Sequence, residues 1–275
     1  LEIFQLLLKQ KNININQKMV IKKWKSNVKI EKNALSYAND NKNIDIFRLL
    51  LERKECKINE ILTDDMFRNM NQKTVLYDAV KKGNYEIVQL MLNHPKIDVK
   101  CRNFKLENDI LSETTLLHCA IKNKNNDIIK LLINSKVVDV NNLIESTCEN
   151  SKKTKITPLG LAILEKNIDA IKLLLTNQKI NVNEVSIFRC MIEGKNKLKE
   201  LKSPLQLAIE TDDINIVNIL LNNQNVDINK NCLFFVSKDN TKKFWIIIIF
   251  FVLMIISLLI YCIKSGNSNA VDLLI

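Results

Sequence analysis

The stretch Thr157-Pro-Leu-Gly-Leu-Ala-Ile-Leu-Glu-Lys-Asn-Ile-Asp-Ala-Ile-Lys-Leu-Leu-Leu-Thr-Asn-Gln-Lys-Ile-Asn-Val-Asn183 decides the fold. The Thr157 hydroxyl is suited to accept an orphan backbone N–H at a helix start, and Pro158 fits the first helical position, where no N–H is needed. Leu159 and Ala162 lie three residues apart, on one face of that helix. Asn167, five residues after Ala162, suits the end of one helix and the start of the next. Ala170-Ile-Lys-Leu-Leu-Leu175 then forms a second helix with a near-continuous apolar face. Neither helix can bury that face alone, so a neighbour of the same kind must cover it. Ile180-Asn-Val-Asn183 closes the pattern as a short alternating stretch.

The same order recurs in both directions along the 275 residues. The small residues Ala38, Ala79, Ala120, Ala162, Ala208 and Cys262 stand 41, 41, 42, 46 and 54 residues apart, each with a Leu three places before it. Ser203-Pro204 repeats the capped start, while Thr74, Thr115 and Ser257 supply the cap without Pro. Asn43, Asn84, Asn125, Asp213 and Asn267 occupy the position of Asn167, and second helices follow from Ile46, Ile87, Ile128 and Ile216. Closing turns appear at Ile13-Asn-Ile-Asn, Ile97-Asp-Val-Lys, Val138-Asp-Val-Asn and Val226-Asp-Ile-Asn. A fixed period of this size is the mark of a repeat array.

In these residues the chain resembles the ankyrin repeat family, whose motif is T-P-L-H-x-A, a second helix and a D-V-N-like turn. Thr115-Leu-Leu-His118-Cys-Ala120 is the copy that retains the His. The resemblance implies an all-α, ankyrin-type α-solenoid of helix-turn-helix repeats with hairpin or finger loops. The array spans 1–243: a truncated first repeat at 1–16, all second helix and turn, then five more. The family period is about 33 residues, so these repeats carry a surplus. It falls in 17–32, 60–73, 101–114, 142–156 and 184–202, which the resemblance assigns to elongated fingers. The helix-terminating glycine survives only at Gly83 and Gly266.

Composition agrees with helices and offers little chemistry. Four Gly and three Pro leave little punctuation for the tight turns of an all-β sandwich or barrel. The seven Cys are scattered, never in a Cys-x-x-Cys pair, and read as small apolar residues of a reducing compartment, with no disulfide framework or metal site. The two histidines do not support catalysis: His118 sits in the repeat motif, where a structural hydrogen bond is expected, and His94 precedes Pro95 in a turn. A phosphate-cradling glycine loop cannot be built from Gly83, Gly160, Gly194 and Gly266. The expectation is a non-catalytic scaffold without a cofactor or small-molecule substrate.

The net charge is +11, with much of the excess in the fingers, as at Lys18, Lys22, Lys23, Lys25, Lys29 and Lys32 around Trp24. Lysine-rich fingers with few Arg and few aromatics suit a solvated edge better than nucleic acid, which favours stacking and bidentate contacts. In ankyrin arrays the first helices face the concave side. Here they carry Lys81, Lys82, Lys122 and Lys124 in two repeats and Glu165, Glu210, Asp212 and Asp213 in the next two. That polarity, with the fingers, suits a protein partner of complementary charge.

From Phe244 to Ile263 twenty residues carry no charge, flanked by Lys242, Lys243 and Lys264, which is enough to span a bilayer as a helix. Yet Ser257 to Ile263 also matches the start of a further repeat, which continues through 264–275. Removing 244–256 would leave a finger of ordinary length. A membrane segment, with the array cytosolic, and a translated apolar insert both fit. The alternative function is the cytosolic regulatory region of a larger membrane protein such as a channel or transporter. The start at Leu1 without Met, and the finish inside an apolar run, suggest that both ends are cut.

Overall fold

The computed structural model describes residues 1–10, 12–22, 29–66, 69–100, 103–107, 110–148, 152–192 and 196–227. The segments expected at 244–263 and 264–275, and Trp24, lie outside the described residues. The chain divides into two compact units, Leu1–Thr147 and Cys148–Ile275.

In the first unit, α1 (Glu2–Leu8) precedes three complete repeats. The first has β1 (Met19–Lys22), β2 (Lys29–Lys32), α2 (Ala34–Asp40) and α3 (Ile44–Leu51). Next come β3 (Ile61–Met66), β4 (Asn69–Thr74), α4 (Val75–Lys82) and α5 (Tyr85–Leu92), followed by β5 (Asn103–Glu107), β6 (Ile110–Thr114), α6 (Leu116–Lys122) and α7 (Asn126–Asn134). β7 (Ile144–Cys148) runs to the end of the unit, its last residue falling in the second. The second unit has β8 (Lys152–Ile156), α8 (Pro158–Leu164), α9 (Ile168–Leu175), β9 (Ser186–Ile192), β10 (Asn196–Lys202), α10 (Pro204–Glu210) and α11 (Ile214–Leu221).

The helices start where the capping residues place them. Thr74, Thr115, Thr157 and Ser203 each accept the backbone N–H three residues on through the side-chain hydroxyl. Asn33, unremarked in the sequence, does the same in a reciprocal box with Ser36. Ala79, Ala120, Ala162 and Ala208 are fully buried and Ala38 nearly so, because first helices of successive repeats meet there. Phe47, Leu50, Ile87, Met91, Ile128, Leu132, Ile171, Leu174 and Leu220 bury the second-helix face.

The all-α expectation needs correction, since the fingers at 17–32, 60–73, 101–114 and 184–202 are β-hairpins. Within the first unit the strands follow chain order from β1 to β7, all antiparallel. Neighbouring fingers are stitched together through Lys29↔Asp65 and Ile30↔Asp64, then Asn71↔Lys105 and Gln72↔Phe104, then Ser112↔Ser146. In the second unit β9 pairs with both β8 and β10. Repetition brings equivalent hairpin edges side by side, and each edge satisfies the other's open N–H and C=O groups.

Between the two helices of each repeat the chain passes through a left-handed residue. Gly83 takes it at φ 74°, but Lys42, Lys124, Lys166 and Asp212 hold the same place at φ 49° to 54°. Side chains at such angles carry strain that glycine does not. Two of the expected first-helix residues, Lys124 and Asp212, therefore stand just past the helix in this turn, and Glu165 caps the C-terminus of α8. Asp213 caps α11 by accepting the Asn215 N–H.

Candidate functional site: the ends of the first helices

Lys81 and Lys122 occupy equivalent positions near the C-terminal ends of α4 and α6, and both are exposed. The Asn123 side-chain amide donates to the Lys81 carbonyl at 3.0 Å, holding the two helix ends together. Lys124 is exposed beside them in the left-handed turn. Among the described residues none of these three lysines has a carboxylate within ion-pair distance.

Lys82, expected beside them as a partner-binding residue, differs in being tied to acids of the array itself. Its ammonium is bound to Asp40 of the preceding repeat and to Asp78 one turn back, the latter at 2.5 Å. Lys73 joins the same Asp78 at 2.9 Å and Asp64 at 2.7 Å, and Lys32 reaches Asp40 at 2.7 Å. Asn39 donates to Asp78, and Asn84 donates to the Asn39 side chain and backbone. Turned toward Asn39, Asn84 does not cap α5 with its side chain, unlike Asn43, Asn125 and Asn167 at their helices.

This network is internally neutral: Asp40, Asp64 and Asp78 balance Lys32, Lys73 and Lys82. Burial alone would raise the Asp78 pKa, but hydrogen bonds and charge from Lys82 and Lys73 outweigh it and hold the carboxyl below its usual range. For Lys73 and Lys82 burial works downward, and their carboxylate partners win, raising both. Since the acids are already matched, Lys81, Lys122 and Lys124 carry the charge this face presents.

In the second unit Glu165 and Asp212 are exposed, whereas Glu210 pairs with Lys202 at 2.7 Å. Lys202 also lies 5.2 Å from the Phe188 ring centroid. Finger lysines thus serve the fold in part, since Lys18 likewise pairs with Glu31 and donates to the Ile61 carbonyl.

His118 is fully buried, its Nδ1 2.7 Å from the Thr115 hydroxyl, in the structural place the motif implies. Nδ1 of His94 accepts the Lys96 N–H in a turn. Burial raises the Cys119 thiol pKa, and it raises Cys56 to about 11, with Glu55 and Glu60 adding to the effect. Both are thiols at neutral pH. Among the described residues no cluster of His, Cys, Asp or Glu could hold a metal ion, and no helix is long and apolar enough to cross a membrane.

One set of polar residues escaped the sequence reading. Asn16 donates to the Glu55 carbonyl and accepts the Lys57 N–H, both at 2.8 Å. Asn59 does the same to Lys96 and Asp98 at 2.7 and 2.9 Å, and Asn183 to Asn225 and Asp227 at 2.8 Å each. These three closing-turn asparagines thus each bind the turn of the next repeat. The turn Cys56-Lys57-Ile58-Asn59 was missed, although its Asn lies 43 residues after Asn16 and 41 before Lys100.

Paired helices, a finger hairpin and a bridging turn in constant order define a repeat-built protein. The family described as "Ankyrin repeats (3 copies)" matches residues 1–103 and 101–186, so the chain belongs to the ankyrin repeat family. Among solved structures it is similar to the ankyrin repeat domain of Bcl-3, described as a unique member of the IkappaB protein family. That match has a TM-score of 0.50 and 17% identity over 73% of this chain and 75% of that one, a likeness of fold. No curated protein sequence matches the chain.

Proposed function

We propose that the chain is a non-catalytic interaction scaffold that binds an acidic protein segment across the ends of α4 and α6, through Lys81, Lys122 and Lys124. The observation that carries this is their exposed, unmatched charge beside a network whose acids are already neutralised. Ankyrin repeats generally mediate protein–protein contacts, and Glu165 and Asp212 supply a second, acidic surface for basic groups of a partner. Glu210 contributes less, being tied to Lys202.

A peptide library selected on the protein tests the reading. Acidic sequences should dominate, and affinity should fall as salt rises. Reversing Lys81, Lys122 and Lys124 to Glu together should weaken the selected peptides at least roughly tenfold with thermal stability kept, since exposed charges away from a network contribute little to folding. Lys82→Glu should instead destabilise the first unit. Recovery of neutral or basic peptides, or unchanged affinity in the triple variant, would refute the proposal.

The uncharged run from Phe244 to Ile263 supports a membrane-tethered form of this scaffold, either alone or as part of a larger membrane protein. The full chain is then expected to remain in the membrane pellet after alkaline carbonate extraction, and its release to the supernatant would exclude tethering.

A further inference from the structure

The bridging asparagines are interrupted once within the first unit. Lys100 stands where Asn16 and Asn59 stand in the preceding turns, and the groups equivalent to their partners in the next turn are the Val137 carbonyl and the Asp139 N–H. An ammonium group donates but cannot accept, so Lys100 cannot make the reciprocal pair. Its side chain is exposed, and its own N–H is taken by Asp98 of the same turn. Among the described residues neither Val137 O nor Asp139 N–H has a partner in this role.

The preceding joint, between the repeats of Ala38 and Ala79, has both the Asn59 bridge and the buried network around Asp78. The joint between the repeats of Ala79 and Ala120 keeps its apolar helix packing, the Asn123 to Lys81 bond and the strand pairing at Asn71 and Gln72.

We infer that the joint between the repeats of Ala79 and Ala120 is a compliant one, at which α4 and α5 separate locally from α6 and α7 more readily than the repeats before them separate from one another. In a stack whose members touch only their neighbours, loss of one interface contact lowers the opening free energy at that interface alone. Lys81 lies on one side of this joint and Lys122 and Lys124 on the other, so small openings change the spacing of the charges offered to a partner. That consequence rests on the lysine face proposed above; the compliance itself does not.

Native-state hydrogen exchange on the full chain, with no partner added, tests it. In the wild type the Asp139 amide should exchange faster than those of Lys57 and Asp98, and α6 and α7 should share a sub-global opening. Lys100→Asn should supply the missing pair, slowing exchange roughly tenfold at Asp139 and through α6 and α7. Asn59→Lys should do the opposite at Asp98. Wild-type protection at Asp139 equal to that at Asp98, or slowing in Lys100→Asn confined to Asp139 with α6 and α7 unchanged, overturns the inference. Neither result touches the lysine face, whose test is peptide binding.

Discussion

Asp78→Ala is expected to lower the unfolding free energy by about 3 kcal/mol, read as a shift in the urea midpoint at pH 7. Removing one partner of a buried ion pair typically costs about 3 to 5 kcal/mol, because the opposite charge stays behind without compensation. The lower figure applies because Lys73 keeps Asp64 and Lys82 keeps Asp40. The pH dependence follows from the direction of the shift. The Asp78 carboxyl titrates lower in the folded chain than in the unfolded one. Its contribution is therefore complete above the ordinary Asp value, about 3.9, and is lost as pH falls from there through the lower folded value. Lys73 and Lys82 are shifted upward, so their contribution is present below the ordinary Lys value, about 10.4, and lost as pH rises through the folded values. Asp78→Asn should flatten the acid limb of the stability profile; an acid limb as steep as in the wild type would show that Asp78 is not coupled as described.

Phe47→Ala is expected to cost about 3 to 5 kcal/mol, the range for emptying a fully buried aromatic site. Phe47 has no exposed surface, lying in α3 beneath the first helix of its own repeat. Phe4 holds the same repeat position in α1 and is only half-buried. Phe4→Ala should cost much less, on the order of 1 kcal/mol, from the smaller area lost. Equal midpoints for the two variants in urea would contradict the alignment of α1 with α3.

The helices were legible because their signals are local. Ala79, Ala120, Ala162 and Ala208 recur at nearly constant intervals, and each is a point where a larger side chain has no room. The caps act over three residues and can be read within one turn of chain. The finger strands were not legible as strands, because their pairing partners include a hairpin one repeat away and their lysine- and asparagine-rich stretches lack clean alternation. β-structure of this kind is chosen by neighbours more than by intrinsic preference.

Lys81 and Lys122 are exposed, as their helix position implies, whereas the ion pairs of Lys82 were not anticipated. Asp78 and Lys82 show the i, i+4 spacing of a helical ion pair, a signal present in the sequence. Asp40, the second partner, lies 42 residues away and becomes a neighbour only when repeats stack. Lys124 and Asp212 were placed on helices because the sequence lacks the glycine that normally marks the turn.

The finger hairpins explain how this chain departs so far from the usual period without losing its stack. A hairpin lengthens at its tip, one residue on each strand, while the ends that feed the helices stay where they were. β5 and β6 match over five pairs and β9 and β10 over seven, yet the helices after each begin at the same capped position. The hairpins thus act as a reservoir that can take up extra residues while the helical framework keeps its spacing, leaving the reach of each finger free to differ from repeat to repeat.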